Sequence, residues 1–409
     1  MFDSKYTARL AKLIAEKPRF AGTSGERRAA KIIVEELSAA GYTPVREGFR
    51  LQTYRVLEAR LRSLDPSFEV PCSAIGFSGE TGEEGVEARL TYIEAGDPAL
   101  LPRGPGHIGL ASTRPGKEDW GRLVKTLDGL VIAEGNRYRL PSHVAIPYEW
   151  RRKHGSLPAV YVAYGDAYRL LSSRRVRLVL RQRYQRRLAY NIVVEKKGYK
   201  YPDEYILVTA HYDSVYRVRG AVDNAGGAAL AVSLARALAD SDFKRSIRFI
   251  LFSGEELGLR GSRAYADRHR DQLEQVKLVV NLDVHGDAIG RTGAVITGPK
   301  ELHDYVEGRA KIGGYNIQIR DDVMSSDGTV FAEEEIPVVN FYRSGGTGID
   351  MHTVRDKGEY ISEWGYRVVG PFAENLLREL LDAEKLPFPR SIPEDLRKKV
   401  QEYFRRWRD

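Results

Sequence analysis

The feature that most restricts the fold of this chain is an alternation of apolar and helical segments that begins at residue 189. Largely uninterrupted apolar segments, which are typical of strands, lie at 190–194, 205–209, 246–252, 277–282 and 336–341. The segments between and after them predict helices over 223–239, 257–269 and 364–384. Strands without polar alternation are buried on both faces, so helices have to cover the sheet on both sides. The sequence therefore predicts an α/β fold in which helices sandwich a mixed, mostly parallel sheet.

The segment from residue 56 to residue 188 has a different character. Short strand-like runs such as 88–93 and 157–162 are separated there by Gly, Pro and charged turns. This pattern indicates an inserted β-rich domain. The insertion divides the main domain into residues 1–55 and 189–387.

The last segment, residues 388–409, is predicted to form a basic amphipathic helix. A capping box of Ser391 and Glu394 is expected at its start. We expect its apolar stripe to pack onto the main domain or onto a second copy of the chain, so a homo-oligomer is an open alternative. The stripe consists of Leu396, Val400, Tyr403 and Trp407.

Composition and charge exclude several classes of protein. The 409 residues include a single cysteine, Cys72, which excludes a disulfide scaffold. No apolar run approaches the roughly 20 residues that a membrane helix needs, so no membrane partner is expected. The first residues lack the basic start and apolar stretch of a secretory signal, which predicts a cytoplasmic location. The net charge is +8, but both signs are scattered along most of the chain, which favours a solvated basic surface over nucleic-acid binding.

Acids and a histidine follow consecutive predicted strands and loops of the main domain. In open α/β sheets, functional side chains gather just beyond the carboxyl ends of the strands. We therefore expect these side chains to lie together at one edge of the sheet. They are His211, Asp213, Asp223, Glu255, Glu256 and Asp283.

Carboxylates gathered in a dry crevice repel one another or take up protons unless a cation compensates them. A pair of divalent ions would provide this compensation. Imidazole and carboxylate ligands without thiolate favour zinc, with cobalt or manganese as substitutes, and a carboxylate such as Asp223 can bridge two ions. The sequence therefore predicts two-metal hydrolysis. Because each ion should keep three protein ligands, one further histidine is expected.

His352 fits best as this further ligand. It lies in a glycine-rich loop over 345–353, which follows the predicted strand ending at Phe341 and can return over the same sheet edge. His285 follows Asp283 by two residues and is a nearby candidate without an assigned role. The other histidines are interpreted as residues of the inserted domain or of the surface; they are His107, His143, His154, His269 and His303.

Seven segments of the chain form a combination that is typical of one enzyme family. In this order they resemble zinc-dependent exopeptidases of the bacterial leucyl aminopeptidase type, which are related in fold to glutamate carboxypeptidase II and the transferrin receptor. The resemblance covers nearly the whole chain, and the inserted segment resembles the protease-associated domain of many members. The segments are RFAGTSG (19–25), AHYDSV (210–215), AVDNAGG (221–227), SGEELGLRGS (253–262), NLD (281–283), SD (326–327) and HT (352–353) with Asp356.

The resemblance implies how the metal ligands are divided. His211 and Asp283 would bind one zinc ion, and Glu256 and His352 would bind the other. Asp223 would bridge the two ions, and the peptide bond that follows it would be cis. Two zinc ions are thus the implied cofactors, and peptides are the implied substrates.

The resemblance also implies two catalytic residues. Asp213 would orient the ring of His211, and Glu255 would act as general base and then as general acid. One position departs from the family pattern, because Met351 replaces a tyrosine that hydrogen-bonds the oxyanion in several members. Tyr342 and Arg343 are candidates to take over this contact.

The implied activity is that of a metallo-aminopeptidase, which hydrolyses the N-terminal peptide bond of peptides. A carboxypeptidase on the same fold is the main alternative, because one metal pair can serve either end of a peptide. Arginines near the metals would bind a C-terminal carboxylate; the candidates are Arg217, Arg219, Arg260 and Arg343. A catalytically inactive, receptor-like binding protein and a single-zinc, glutaminyl cyclase-like transferase are further alternatives, and the complete set of ligand positions argues against both.

Overall fold

The structure, a computed structural model, describes residues 1–408 and the side chains of residues 1–406. Asp409 and the side chain of Trp407 therefore lie outside the described residues. The chain divides into two compact units. The first contains residues 1–51, 188–348 and 356–403, and the second contains residues 52–187, 349–355 and those from 404 onwards. This division differs from the predicted boundaries at 349–355, which belongs to the second unit, and in the predicted segment 388–409, of which residues 388–403 belong to the first unit.

Helices and strands are numbered in chain order. The α-helices are α1 (Ser4–Ile14), α2 (Ser24–Ala39), α3 (Lys117–Thr126), α4 (Tyr148–His154), α5 (Tyr164–Leu170), α6 (Gly226–Leu238), α7 (Arg260–Arg268), α8 (Lys300–Ile312), α9 (Gly328–Glu333), α10 (Val369–Asp382) and α11 (Glu394–Arg408). The strands are β1 (Val45–Asp65), β2 (Ser67–Val70), β3 (Cys72–Ala74), β4 (Val86–Glu94), β5 (His107–Ala111), β6 (Gly129–Ala133), β7 (Ala159–Val162), β8 (Arg175–Lys196), β9 (Tyr201–His211), β10 (Arg245–Phe252), β11 (Val276–Leu282), β12 (Gly290–Thr297), β13 (Gln318–Asp321) and β14 (Val338–Gly345).

A mixed sheet forms the centre of the first unit. Its strand order is β13-β12-β14-β11-β9-β10-β8, and β8 takes part through its C-terminal residues. The pairs β9–β10, β9–β11, β11–β14 and β12–β13 are parallel, whereas β12–β14 and β8–β10 are antiparallel. Helix α6 packs against β9, β10 and β11, and α9 packs against β11 and β14. Every residue of β10 is buried, as expected for a strand covered on both faces. The predicted α/β fold with a mixed, mostly parallel sheet is confirmed.

The second unit also combines strands and helices. Strands β4, β5, β6 and β7 are parallel neighbours, while β3 and β8 pair antiparallel to β7 and β4. Parallel neighbours need a crossover segment between them, and α3 and α4 lie in such connections. The description of this segment as β-rich therefore omitted its helices. Its own apolar core includes Leu61, Ile108, Val131 and Leu178.

Four predicted helix starts differ from the structure. Helix α7 begins at Arg260 instead of residue 257, because Gly258 has a left-handed backbone. Helix α6 begins at Gly226 instead of residue 223, because Asp223 and Asn224 have non-helical backbone angles. Helix α10 begins at Val369 instead of residue 364. The capping box at Ser391 is wrong, since α11 begins at Glu394 and the carbonyl of Pro393 accepts the N–H of Arg397. A proline disfavours helical geometry in the residue before it, which keeps the helix from extending back to Ser391.

Among the described residues, no helix is both long enough and apolar enough to cross a bilayer.

Candidate metal centre

The carboxyl ends of parallel strands bring the site residues of the first unit together. Strand β9 ends at His211, which lies opposite Phe252 at the end of β10. Glu255 follows β10 after a short turn, and Asp283 directly follows β11, the other neighbour of β9. The parallel register therefore determines which loops meet, since adjacent strands end at the same sheet edge.

His211, Asp223 and Asp283 form a compact group of ligand atoms. The Nε2 atom of His211 lies 3.2 Å from Asp223 Oδ1 and 3.3 Å from Asp283 Oδ1. One ligand atom of each residue lies within 4.8 Å of the others, and all three side chains are buried. One imidazole and two carboxylates at this spacing are a suitable ligand set for a divalent ion such as zinc.

Asp213 faces the other nitrogen of the same imidazole. Its Oδ1 atom lies 3.5 Å from His211 Nδ1 and accepts the backbone N–H of Glu255 at 3.2 Å. A carboxylate beside Nδ1 favours the tautomer that carries the proton there, which leaves the Nε2 lone pair directed at Asp223 and Asp283. Asp213 is completely buried, and its contacts with His211 and Glu255 link the end of β9 to the turn that follows β10.

Asp223 lies in an irregular segment immediately before α6. The Asp223–Asn224 peptide bond is cis, as the family resemblance implies. The side chain of Asn224 donates to the carbonyl of Leu282 at 2.8 Å and accepts the N–H groups of Gly227 and Val284 at 2.9 Å and 3.2 Å. This amide therefore connects the segment of Asp223 with the segment of Asp283.

Glu255 and Glu256 occupy one turn of 3₁₀-helix after β10. Left-handed glycines, Gly254 and Gly258, flank the turn with φ of +72° and +98°. Glu256 has a carboxylate oxygen within 4.8 Å of a carboxylate oxygen of Asp223. Burial raises the pKa of Glu255 well above its usual value, with contributions from the negative charges of neighbouring acids and an opposing effect of His211.

The electrostatics of the group fit a bound cation. The buried oxygens Asp213 Oδ2 and Asp283 Oδ1 have no hydrogen-bond partner in the described structure. Burial alone would lower the pKa of His211, but the carboxylates of Asp283, Glu255 and others raise it well above its usual value. A divalent ion would neutralise the same carboxylates and occupy their unused lone pairs.

His352 lies in residues 349–355, which belong to the second unit. Within that unit, its carbonyl accepts the N–H of His143 at 2.8 Å, and the carbonyl of Met351 accepts Arg139 Nη2 at 2.8 Å. His352 has a positive φ of +60°. Its role as a metal ligand stays a prediction from the sequence.

Two other predicted candidates have structural contacts. The ring of His285 is fully buried, and its Nε2 atom lies 2.9 Å from the carbonyl of Phe341. Burial lowers the pKa of His285 to about 4, so the ring is neutral at pH 7. Arg343 donates to the carbonyls of Asp287 and Ala288 at 2.6 Å and 3.3 Å. Because Arg343 already donates to these two carbonyls, it is poorly suited to replace the tyrosine that hydrogen-bonds the oxyanion in several family members.

Four buried charged residues near the site had no role assigned from the sequence. Arg19, Asp327 and Asp356 lie in the matching segments, and Glu26 directly follows the first of these segments. These residues could have been identified from the sequence because each is charged and lies inside or directly beside a site motif. Their contact partners are far away in the sequence, so the pattern alone could not supply a role.

Comparisons with known proteins agree with this geometry. Residues 191–376 match the model of Peptidase family M28. The chain is 26% identical to Aminopeptidase YwaD of Bacillus subtilis over 95% of this chain and 86% of that protein. It is 27% identical to Carboxypeptidase Q of Bos taurus over 65% of this chain and 61% of that protein. The solved structure of BSAP, a zinc aminopeptidase from Bacillus subtilis, aligns with a TM-score of 0.79 and 24% identity, covering 97% of this chain and 99% of that chain.

The α/β fold and the cluster of imidazole and carboxylates at its strand ends define a metal-dependent hydrolase. The match to the family model makes the assignment more specific. The segment 191–376, which carries His211, Asp223, Glu256 and Asp283, matches the model of peptidase family M28, and the chain is a peptide hydrolase.

Proposed function

We propose that this protein is a metallo-aminopeptidase that removes N-terminal residues from peptides with the help of two zinc ions. The convergence of His211, Asp223 and Asp283 is the observation that carries the proposal. Glu255 and Glu256 at the next strand end provide the additional carboxylates that a second ion and a general base require.

The proposed ligand sets follow the family resemblance. His211 and Asp283 hold one ion, Glu256 and His352 hold the other, and Asp223 is shared. The proximity of Asp223 to both Asp283 and Glu256 supports a shared role for its carboxylate. Cobalt and manganese accept the same ligand types and are proposed as substitutes.

The residues of the chain have separate tasks in the proposed reaction. Bound zinc supplies a Lewis acid that lowers the pKa of water and polarises a carbonyl group. Glu255 accepts the proton of the attacking water and then gives it to the leaving amine. Burial, which raises the pKa of Glu255, strengthens its affinity for the proton that it accepts from water. Asp213 keeps His211 in the orientation that directs Nε2 at the carboxylates.

Carboxypeptidase activity is the second candidate. Arg343 is engaged with backbone carbonyls, and Arg260 Nε donates to the carbonyl of Leu257 at 3.0 Å. Arg217 and Arg219 are exposed and precede Asp223 in the same loop, so they are the arginines that could bind a C-terminal carboxylate. We favour the aminopeptidase because the relative with that name matches over nearly the whole chain.

A pair of peptides distinguishes these candidates. Purified protein is incubated with an unblocked peptide and with its N-acetylated form, after chelation and again after zinc is added. We expect cleavage of the unblocked peptide only, from its N-terminus, and only with metal. Release of C-terminal residues from the acetylated peptide would establish the carboxypeptidase, whereas bound zinc without cleavage of either peptide would support a receptor-like protein.

Two further proposals rest on the sequence. We propose that the inserted segment is a protease-associated-like domain and that the protein is cytoplasmic. A homo-oligomer stays the alternative that the stripe of the last helix left open, although Leu396 and Val400 of this stripe are buried within the chain. Cell fractionation tests the location, and light scattering coupled to size-exclusion chromatography tests the oligomeric state.

A further inference from the structure

The loop that carries Asp223 is held by a carboxylate from a distant part of the chain. Asp356 Oδ1 accepts the N–H groups of Ala221 and Val222 at 2.9 Å and 2.8 Å. Asp356 Oδ2 accepts the N–H of Asp223 itself at 3.2 Å. The Asp356 side chain is buried, so water does not compete for these contacts. Three successive N–H groups directed at one carboxyl group fix the path of the backbone through Asp223.

A buried arginine holds the same loop from its carbonyl side. Arg19 is completely buried and donates through Nη2 to the carbonyl of Gly220 at 2.9 Å and through Nη1 to that of Arg219. Its Nε donates to the carbonyl of Tyr212 at 2.7 Å. Arg19 therefore joins the residue after His211 to the residues just before Asp223.

The charges of Arg19 and Asp356 influence each other in this buried environment, because burial raises the pKa of the Asp356 carboxyl to about 7 and the positive charge of Arg19 opposes that increase. Burial lowers the pKa of Arg19 to about 10, and the negative charge of Asp356 is the largest influence that opposes the decrease. The guanidinium is therefore charged at neutral pH. Its fork of donors suits several carbonyls at once, a geometry that a lysine ammonium lacks.

We infer that Arg19 and Asp356 are positioning residues that set the orientation of the Asp223 carboxylate relative to His211. The inference rests on the proposed function in one respect, namely that Asp223 and His211 bind metal. Because Asp223 is the ligand shared by both sets, a change in its orientation affects the affinity for both ions. Hydrogen-bonding partners of ligands typically contribute about 10- to 100-fold to metal affinity.

The test compares zinc binding by the wild type, Asp356→Asn and Arg19→Lys. In Asp356→Asn, one oxygen is still able to accept the N–H groups of Ala221 and Val222, but an amide N–H₂ then faces the N–H of Asp223. Arg19→Lys keeps the charge and loses the fork of donors. Equilibrium dialysis of the metal-free proteins against zinc gives stoichiometry and affinity. We expect both variants to bind zinc at least about 10-fold more weakly than the wild type.

Two variants serve as matched controls. Asp3→Asn removes a carboxylate that accepts two backbone N–H groups at the start of α1, at 2.9 Å and 3.0 Å, away from the ligands. Val306→Ala lowers stability by shortening a fully buried side chain of α8. Both controls should keep wild-type zinc affinity, and thermal unfolding of the metal-free proteins measures the loss of stability in every variant.

The outcomes separate this inference from the proposed function. If the wild type binds zinc and both Asp356→Asn and Arg19→Lys bind it equally well, the positioning role is wrong. The positioning role is also wrong if Val306→Ala loses as much stability as Asp356→Asn and Arg19→Lys and weakens zinc binding to the same extent. If one variant fails to fold, the other decides. A wild type that binds no zinc would instead refute the metal centre itself.

Discussion

At the residue scale, buried acids are the most unusual feature of the first unit. Glu26 accepts the N–H of Gly22 at 2.7 Å and hydrogen bonds from the hydroxyl groups of Ser253 and Tyr212. Burial raises the pKa of Glu26 to about 7, and it has the same effect on Asp327. Such groups make the stability of the fold depend on pH.

Glu26 should destabilise the fold as the pH rises. Its pKa is about 7 in the folded protein and 4.5 when unperturbed, so between these values the folded state holds a proton that the unfolded state has lost. The free energy of unfolding therefore decreases from pH 4.5 to pH 7, by up to about 3 kcal/mol. In Glu26→Gln the side chain at this position is neutral at every pH, so the variant should lack this decrease in the free energy of unfolding. Urea unfolding of metal-free wild type and variant across this range measures the difference, and parallel pH profiles would contradict it.

Glu255 should be required for turnover and dispensable for metal binding. In Glu255→Gln the side chain has a similar size but is unable to accept the proton of water. We expect kcat to fall about 10²- to 10⁴-fold while the zinc content is unchanged. Steady-state kinetics and metal analysis test this, with Glu16→Gln on the exposed surface as the control. Loss of zinc together with activity would make Glu255 a ligand.

At the element scale, the start of α6 determines where Asp223 is placed. Gly226 and Gly227 begin this helix, and both lie against the backbone that follows β11. A Cβ atom on Gly227 would overlap the carbonyl oxygen of Leu282 and the side chain of Asn224. These glycines therefore permit the close approach of the two ligand-bearing segments.

Gly227→Ala should destabilise the protein although alanine favours helices. The added methyl group meets backbone atoms that are unable to move away, which costs about 1–3 kcal/mol and exceeds the gain in helix propensity. Gly308 in α8 has open space around it, so Gly308→Ala should instead stabilise by about 0.5–1 kcal/mol. Thermal unfolding of both variants checks the opposite signs. Equal changes in the Tm of the two variants would contradict the proposed overlap of the methyl group added at residue 227 with Leu282 and Asn224.

At the scale of the whole molecule, the chain consists of two units, and four of the five proposed ligands, His211, Asp223, Glu256 and Asp283, belong to the first. Three separate loops supply these ligands. Metal ions that bind these residues only in the folded state stabilise that state by linkage.

Removal of metal should lower the thermal stability of the first unit. At a free zinc concentration 100 times the dissociation constant, binding contributes about 2.7 kcal/mol to the free energy of unfolding. We expect a chelator to lower Tm and zinc to restore it. His211→Ala should reduce the zinc-dependent shift without preventing folding, and calorimetry measures both. A shift in His211→Ala as large as that of the wild type would place the metal away from His211.

Much of the fold and the site was predictable from local patterns. Uninterrupted apolar segments marked β9, β10 and β11, and the acids and histidine that follow them marked one sheet edge. Helix boundaries were less predictable. The start of α6 is determined by the loop that carries Asp223, and the start of α11 by Pro393.

The sequence by itself determined the central strands of the first unit and which residue types stand at their ends, because apolar periodicity and strand-end position are local properties. Only the tertiary structure decided that Arg19 and Asp356 hold the loop of Asp223, and that residues 349–355 belong to the second unit. Asp356 and Asp223 are separated by 133 residues in the chain. Contacts over such distances depend on how the sheet and loops pack, and no local pattern encodes that arrangement.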